Sequence, residues 1–194
     1  MFNKYKQLEK DHSNYKHCRI QSKYSLVLDI GCGSSPKGDV NIDLYPKDRS
    51  QCAFHWNPKK VNNFLLADGE NAPFKDKVFH KVHSSHVIEH IENPLKFLKE
   101  CKRISKGVVV LYTPSEFDIG KTLTHIYTWN PHTLKMLMKK VFQEVECNYN
   151  VDKSWLKKGR KIVDWFPFLP AIFSKMGIHK EVYGIGWSNI NNIK

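Results

Sequence analysis

The stretch VLDIGCGSSP, residues 27–36, predicts a strand that leads into a binding turn. A short apolar run that ends at glycine is typical of a buried parallel strand. Gly31 and Gly33 carry no Cβ, so the backbone can turn sharply there and approach a ligand closely. The complete dinucleotide-binding pattern G-x-G-x-x-G is absent, because Pro36 occupies the third glycine position. The turn therefore indicates a ligand without identifying it.

Strand and helix patterns alternate after this turn. Apolar or alternating runs predict strands at 39–44, 62–68, 78–85, 107–114, 142–150 and 181–187. Asn93 and Asn130 each precede a proline and an apolar stripe, as at the start of a helix. The predicted inward faces are Leu95, Leu98, Cys101 and Ile104 in the first helix, and Leu134, Leu137, Met138 and Val141 in the second. This order predicts a doubly wound, Rossmann-like α/β sheet in one domain, residues 1–194.

Acidic and small residues follow the predicted strands. Ligands of such a sheet bind beyond the carboxyl ends of the strands. Asp43 ends the second strand, where a carboxylate can accept hydrogen bonds from both hydroxyls of a ribose. The third strand is followed by Asp68, Gly69 and Glu70, and the fourth ends in Ser84 and Ser85. We therefore expect these side chains to meet at one edge of the sheet.

The order of these signals is more specific than any one of them. VLDIGCGSSP, NIDLYP, LLADGENAPF with SSHVIEHI, and GVVVLYTP together resemble the class I S-adenosylmethionine-dependent methyltransferases. The similarity is greatest to the type 11 subgroup, which includes the ubiquinone- and menaquinone-biosynthesis methyltransferases. It covers residues 25 to about 150 and implies a seven-stranded sheet with S-adenosylmethionine as the cofactor.

The resemblance also assigns roles to the residues at the strand ends. The turn formed by Asp29, Gly31, Cys32 and Gly33 would wrap the methionine part of the cofactor. Asp43, which Leu44 follows, would hold the ribose. Asp68 would meet the adenine amine with Gly69 and Glu70 beside it, and Ser84 and Ser85 would border the sulfonium.

Two segments depart from the family pattern. Strands one and two are joined by the short segment CGSSPKGD, which has too few residues for a crossover helix. We expect the N-terminal segment 1–24 to form a helical cover over the sheet face left bare. Residues 152–178 form a helical insertion before the last strand, and we expect them to cover the acceptor side. Their five aromatic rings, at Trp155, Trp165, Phe166, Phe168 and Phe173, fit a lid, a base-stacking surface or a bilayer surface.

The stretch SSHVIEHIENP, residues 84–94, admits a second interpretation. His86, Glu89 and His90 have the spacing H-x-x-E-H of inverted zinc peptidases, in which one helical face carries both imidazoles. A zinc site of that kind needs a third protein ligand downstream, and the resembling methyltransferases carry similar stretches without zinc. We therefore expect no metal at this motif, and we expect Glu89 to cap or brace a local helix.

Charge and cysteine content bear on partners and location. Of the net charge of +12, residues 1–25 hold six basic against two acidic side chains, and residues 152–180 hold seven against two. Such flanks suit an anionic acceptor, nucleic acid or a membrane surface, and solvated surface lysines would give the same count. Five scattered cysteines and the lack of an apolar leader predict reduced thiols in the cytoplasm, with peripheral membrane association left open.

The expected activity is methyl transfer to an acceptor that the sequence does not identify, either a small molecule or a lipid- or glycan-linked substrate. His90 is the candidate general base because imidazole titrates near neutrality, with local packing as the alternative role. RNA or protein methylation, and a nucleic-acid-binding module without catalysis, are the alternative functions.

Overall fold

The computed structural model describes residues 26–45, 56–116, 124–150 and 181–188, which contain one seven-stranded sheet. The strands are β1 Val27–Ile30, β2 Val40–Asp43, β3 Phe64–Leu66, β4 Phe79–Ser85, β5 Ser105–Pro114, β6 Glu144–Asn150 and β7 Glu181–Trp187. Their order is β3-β2-β1-β4-β5-β7-β6, with β1 to β5 parallel and β7 antiparallel to both of its neighbours. The predicted methyltransferase-type sheet is confirmed, and it is mixed rather than wholly parallel.

The short connection between β1 and β2 is confirmed as well. Residues 31–39 contain no helix, and β2 pairs with β1 in parallel, with Asp29 opposite Asn41. Asn41 supports this connection, because its side-chain amide donates to the carbonyls of Gly38 and Asn62 at 3.1 and 2.9 Å. A buried amide with both hydrogens bonded fixes the register of the strand.

Two helices pack on one face of the sheet, α1 Pro94–Ile104 and α2 Pro131–Met138. Each begins as predicted, with the side chain of Asn93 or Asn130 accepting a backbone N–H of the first turn. The inward face of α1 is Phe97, Leu98, Cys101 and Ile104, all fully buried. Leu95 was wrongly assigned to that face and is half-buried, because the i, i+4, i+7 pattern of the contact starts at Phe97.

The core lies between these helices and the sheet. It includes Leu28, Ile42, Phe79, Phe97, Leu134 and Phe142, all at most 2% exposed. Burying one such side chain contributes about 1.5–3 kcal/mol. Val110, Ile185 and Trp187 form a second buried cluster made of β5 and β7 residues. The predicted covers, residues 1–24 and 152–178, lie outside the described residues. Within those residues, no helix is long and apolar enough to span a membrane.

Candidate functional site

The turn after β1 has the geometry that its glycines predict. Gly31 and Gly33 have φ angles of +70° and +50°, in the left-handed region that glycine occupies without strain. The N–H groups of Gly31 and Cys32 donate to the carbonyl of Ile42 at 2.8 and 3.2 Å. A Cβ on Gly31 would lie 2.1 Å from Val87 Cγ2, whereas a Cβ on Gly33 would meet no atom of the described residues within 4 Å. The turn is therefore packed on one side and open on the other.

Asp43 lies beside this turn at the carboxyl end of β2 and is 9% exposed. Its Oδ2 accepts the N–H of Gly33 at 3.1 Å, and its Oδ1 accepts the N–H of Tyr45 at 2.9 Å. Each carboxylate oxygen accepts more than one hydrogen bond, so the group retains capacity for two ligand hydroxyls. Leu44, the next residue, is 40% exposed and offers an apolar surface at the same edge.

Residues 68–71 form a turn at the end of β3. Asp68 accepts the backbone N–H of Glu70 at 2.8 Å and the side-chain amide of Asn71 at 3.2 Å. Gly69 is buried, and a Cβ there would lie 2.7 Å from Ile30 Cγ2. Gly69 thus packs the turn against β1, while the carboxylate of Asp68 fixes the shape of the turn.

Asp29 faces inward, at 2% exposure. Its Oδ2 accepts the N–H of Lys37 at 2.8 Å, and its Oδ1 lies 2.7 Å from Nδ1 of buried His83. Burial lowers the pKa of His83, with Asp29 opposing that shift. A neutral His83 therefore donates its Nδ1–H to Asp29. The carboxylate of Asp29 therefore connects the turn after β1 to β4. The sequence did not predict its pairing with His83, although the register of β1 and β4 places Asp29 and His83 side by side.

Two further predicted residues end β4. The Oγ of Ser84 is buried without a hydrogen-bond partner among the described residues, and Ser85 is half-buried. Ser84 lies opposite Ile30 in the register of β1 and β4, directly below the glycine turn. Cys32 is 6% exposed, and burial, followed by the charges of Asp43 and Asp29, raises its pKa to about 12. Its thiol is therefore protonated, and its backbone shapes the turn.

The H-x-x-E-H stretch is not helical. Residues 86–92 form turns between β4 and α1, and His86 has a φ of +58°. Nε2 of His86 is 2.8 Å from Oε1 of Glu181 on β7, and this hydrogen bond, together with the nearby carboxylate of Glu89, raises the pKa of His86 to about 9. The motif therefore lacks the helical face of an inverted zinc peptidase. The prediction that Glu89 caps or braces a local helix was wrong.

Glu89 instead connects three segments and is 1% exposed. Its Oε2 accepts the hydroxyl of Thr113 on β5 at 3.2 Å, and its backbone carbonyl accepts the N–H of Ile126 at 2.8 Å. The Nδ1 of His90 lies 3.1 Å from the carbonyl oxygen of Thr124. The imidazole rings of His90 and His125 are 4.9 Å apart, edge to face. The candidate base thus lies in a polar cluster that residues 124–127 complete.

Comparison with known proteins identifies the fold family. Residues 28–111 match the type 11 family described as a methyltransferase domain. This part of the chain is therefore similar to that methyltransferase family. The matched range contains the glycine turn, Asp43, Asp68 and the 84–90 stretch described above.

Two curated relatives are similar to this chain over different shares of its length. The chloroplastic tocopherol O-methyltransferase of Arabidopsis thaliana is 24% identical over 90% of this chain and 57% of its own length. The tRNA (carboxymethyluridine(34)-5-O)-methyltransferase of Saccharomyces cerevisiae is 39% identical over 34% of this chain and 25% of its own. The chain therefore spans about half the length of the first relative and a quarter of the second.

Solved structures confirm the methyltransferase fold. A SAM-dependent methyltransferase of Archaeoglobus fulgidus aligns with a TM-score of 0.60 and 18% identity, over 93% of this chain and 91% of its own. A methyltransferase of Haloferax volcanii, solved in complex with a methyltransferase activator, aligns with a TM-score of 0.55 and 16% identity, over 94% and 92%.

Proposed function

We propose that this chain is an S-adenosylmethionine-dependent methyltransferase that methylates an oxygen atom of a small or lipid- or glycan-linked acceptor. The observation that carries the proposal is the open glycine turn flanked by Asp43 and Asp68 at the carboxyl edge of a methyltransferase sheet. Both curated relatives are O-methyltransferases by name, which supports oxygen as the acceptor atom.

The residues of the site fit this cofactor. The open side of Gly33 is a cradle that any Cβ would enter, and the buried Oγ of Ser84 has no partner among the described residues. We assign the methionine part to the Gly31–Gly33 turn and the ribose hydroxyls to Asp43. The exposed side chain of Leu44 would contact the adenine, and the turn at Asp68 would lie at the adenine edge.

The cofactor supplies a methyl group on a positively charged sulfur, so transfer to an acceptor oxygen is a direct displacement. The chain has to orient the acceptor and exclude water. An acceptor hydroxyl must also lose its proton. A carbonyl oxygen only accepts, so the His90 Nδ1–H donates to Thr124 and leaves the lone pair of Nε2 to accept that proton. His90 is thus the candidate base.

The cofactor assignment is tested by calorimetric titration of S-adenosylhomocysteine into the full chain and two variants. Asp43→Asn removes one acceptor of a charge-assisted hydrogen bond, and we expect a loss of about 1.5–3 kcal/mol, or about 10- to 150-fold in Kd. Asp39→Asn is the matched control, since Asp39 lies four residues away before β2 and bonds the backbone of Val27. Its Kd should stay within twofold of wild type.

Two results would contradict the assignment. If the wild-type chain did not bind S-adenosylhomocysteine, the assignment of S-adenosylmethionine as the cofactor would be wrong. If the Asp43→Asn variant had the wild-type melting temperature and an unchanged affinity for S-adenosylhomocysteine, Asp43 would not bind the ribose.

RNA is the second candidate acceptor. The tRNA methyltransferase relative and the basic segments 1–25 and 152–180 favour it, although those segments lie outside the described residues. Binding to nucleic acid through such charges weakens steeply with salt. A tRNA mixture whose affinity falls at least 100-fold between 50 and 200 mM salt, and which accepts methyl groups, would favour RNA. Methylation of a phenolic or lipid hydroxyl without RNA binding would favour the first proposal.

A protein partner and the role of the insertion 152–178 are two further proposals. The Haloferax volcanii neighbour was solved with a methyltransferase activator, which makes a protein partner worth testing by co-purification. The insertion 152–178 is proposed to select the acceptor. Its deletion should abolish methyl transfer and leave S-adenosylhomocysteine affinity near wild type, provided that the shortened chain folds.

A further inference from the structure

A second cluster of side chains lies at the carboxyl edge, beyond the ends of β4 and β5. Glu89, His90 and His125 each offer one ligand-type atom, and these atoms all lie within 4.8 Å of one another. We propose that these three residues bind one divalent first-row transition-metal ion. Ligand atoms around such an ion, bonded at about 2.0–2.2 Å, are about 3–4 Å apart. Small rotations of the side chains therefore close the site.

The carboxylate of Glu89 supplies the first argument. The side chain is 1% exposed, and Oε2 accepts the Thr113 hydroxyl at 3.2 Å. Oε1 is buried without a hydrogen-bond partner among the described residues, and Nδ1 of His86, 3.5 Å away, is its ion-pair neighbour. A buried carboxylate is costly unless its charge is compensated, and a bound metal ion would add to the partial compensation that His86 gives from 3.5 Å.

The imidazole ring of His90 supplies the second argument for a metal site. Its Nδ1–H donates to the carbonyl of Thr124 at 3.1 Å, which fixes the tautomer with the lone pair on Nε2. Metal-binding histidines commonly donate the other ring N–H to a backbone carbonyl in this way, which orients the ring and increases its basicity. The 4.9 Å edge-to-face contact with His125 holds the second imidazole beside it.

The donor set indicates the class of ion. Two imidazoles and one carboxylate suit zinc, iron or manganese, whereas magnesium and calcium favour oxygen ligands. Three protein ligands leave at least one coordination position open, as in catalytic rather than structural sites. This set differs from the H-x-x-E-H motif: His125 replaces His86, which binds Glu181. The metal and the proton of a general base would use the same Nε2 lone pair of His90, so metal binding excludes that base role.

The test uses the full chain purified without a histidine tag, stripped with chelator and titrated with ZnCl₂, MnCl₂ and MgCl₂ by calorimetry. We expect one Zn²⁺ or Mn²⁺ per chain and no saturable Mg²⁺ binding. Glu89→Gln and His125→Ala should each weaken that binding at least tenfold. Glu92→Gln and His132→Ala, which alter exposed residues outside the cluster, should bind as wild type. Cobalt substitution should give visible absorption bands that His125→Ala removes.

Several outcomes would overturn the proposal. These are the absence of stoichiometric Zn²⁺ and Mn²⁺ binding, retention of wild-type affinity in His125→Ala, or an equal loss in His132→Ala. Because Glu89 is buried, Glu89→Gln could unfold the chain; His125→Ala, at a half-buried position, then decides the question. The readout is metal binding alone, so the result does not depend on methyl transfer.

Discussion

The two halves of the carboxyl edge are assembled in different ways. The proposed cofactor site, called the cofactor half below, consists of the Gly31–Gly33 turn, Asp43 and Asp68, and each of these lies at the carboxyl end of a strand that one short motif encodes. The cluster half brings Glu89 and His90 together with Thr113 and His125, from three separated segments. Strand-end motifs therefore reveal the first half, whereas only the folded chain reveals the second.

The halves also differ in how well their polar groups are satisfied. In the cofactor half, both oxygens of Asp43 and both of Asp29 are hydrogen-bonded inside the protein. In the cluster half, Oε1 of the buried Glu89 has no such bond within the described residues. The carboxylates of the cofactor half are thus held by the protein itself, although Ser84 in that half and Glu89 in the cluster half each keep one buried oxygen without a hydrogen bond among the described residues.

The largest effect should come from the cofactor turn. Gly31→Ala combines a left-handed φ of +70° with a Cβ placed 2.1 Å from Val87 Cγ2. The backbone strain and the overpacking together should cost about 2–5 kcal/mol in the free energy of unfolding. Urea denaturation measures this loss. Gly33→Ala is the control, because its φ is also positive but its Cβ would enter open space, and it should cost only about 1–2 kcal/mol. Equal losses in both variants would show that packing against Val87 does not hold the turn.

A smaller effect should come from the cluster half. Thr113→Val keeps the shape of a fully buried side chain and removes the donor to Glu89 Oε2. We expect a loss of about 1–3 kcal/mol in the free energy of unfolding, because the carboxylate stays buried. S-adenosylhomocysteine affinity should stay within twofold of wild type, since the two halves do not share this bond. Thr128→Val, at an exposed position, should change stability by less than about 0.5 kcal/mol. If Thr113→Val lost S-adenosylhomocysteine affinity together with stability, the two halves would be energetically coupled.

The sequence predicted the sheet because strands and their turns are local patterns. The interval from 181 to 187 coincides with β7, and the short link between strands one and two is confirmed. Leu95 was wrongly assigned because a stripe that starts at Leu95 and one that starts at Phe97 both have helical spacing. The spacing alone does not show which of the two faces the sheet. The sharp glycine turn after β1, with Gly31 and Gly33 at positive φ, was predicted for the same local reason.

The interactions between strands were beyond the reach of local patterns. His83 pairs with Asp29, 54 residues away, only through the register of β4 on β1. His125 reaches His90 because Glu89 holds the backbone at 126–127, a contact without any sequence signature. The expectation of a local helix around Glu89 was wrong, because helical spacing alone does not form a helix. Residues 86–92 form turns instead, and His86 adopts a positive φ.

The third prediction concerns the pH dependence of the cofactor half. Burial lowers the folded-state pKa of His83 below its ordinary 6.5, so between those two values the unfolded chain binds the extra proton. Stability from this group is therefore present above about pH 6.5 and is lost as the pH falls below it. His83→Gln keeps a donor for Asp29 without titrating, and it should lose less unfolding free energy than wild type between pH 7.5 and 5.5. His132→Gln should behave as wild type; identical losses in all three would assign the acid sensitivity to other groups.

The smallest effect should come from Cys32, which lies inside the turn but contributes its backbone. Its side chain is 6% exposed, and burial, followed by the charges of Asp43 and Asp29, raises its pKa to about 12, so the thiol stays protonated near neutral pH. Cys32→Ala should therefore bind S-adenosylhomocysteine within twofold of wild type. At pH 7.5, iodoacetamide should leave Cys32 unmodified in the folded chain and label it after unfolding in urea, as peptide mass spectrometry would measure. Rapid labelling of folded Cys32 that S-adenosylhomocysteine blocks would instead show that the thiol faces the cofactor, and the turn would then act through a side chain as well as through its glycines.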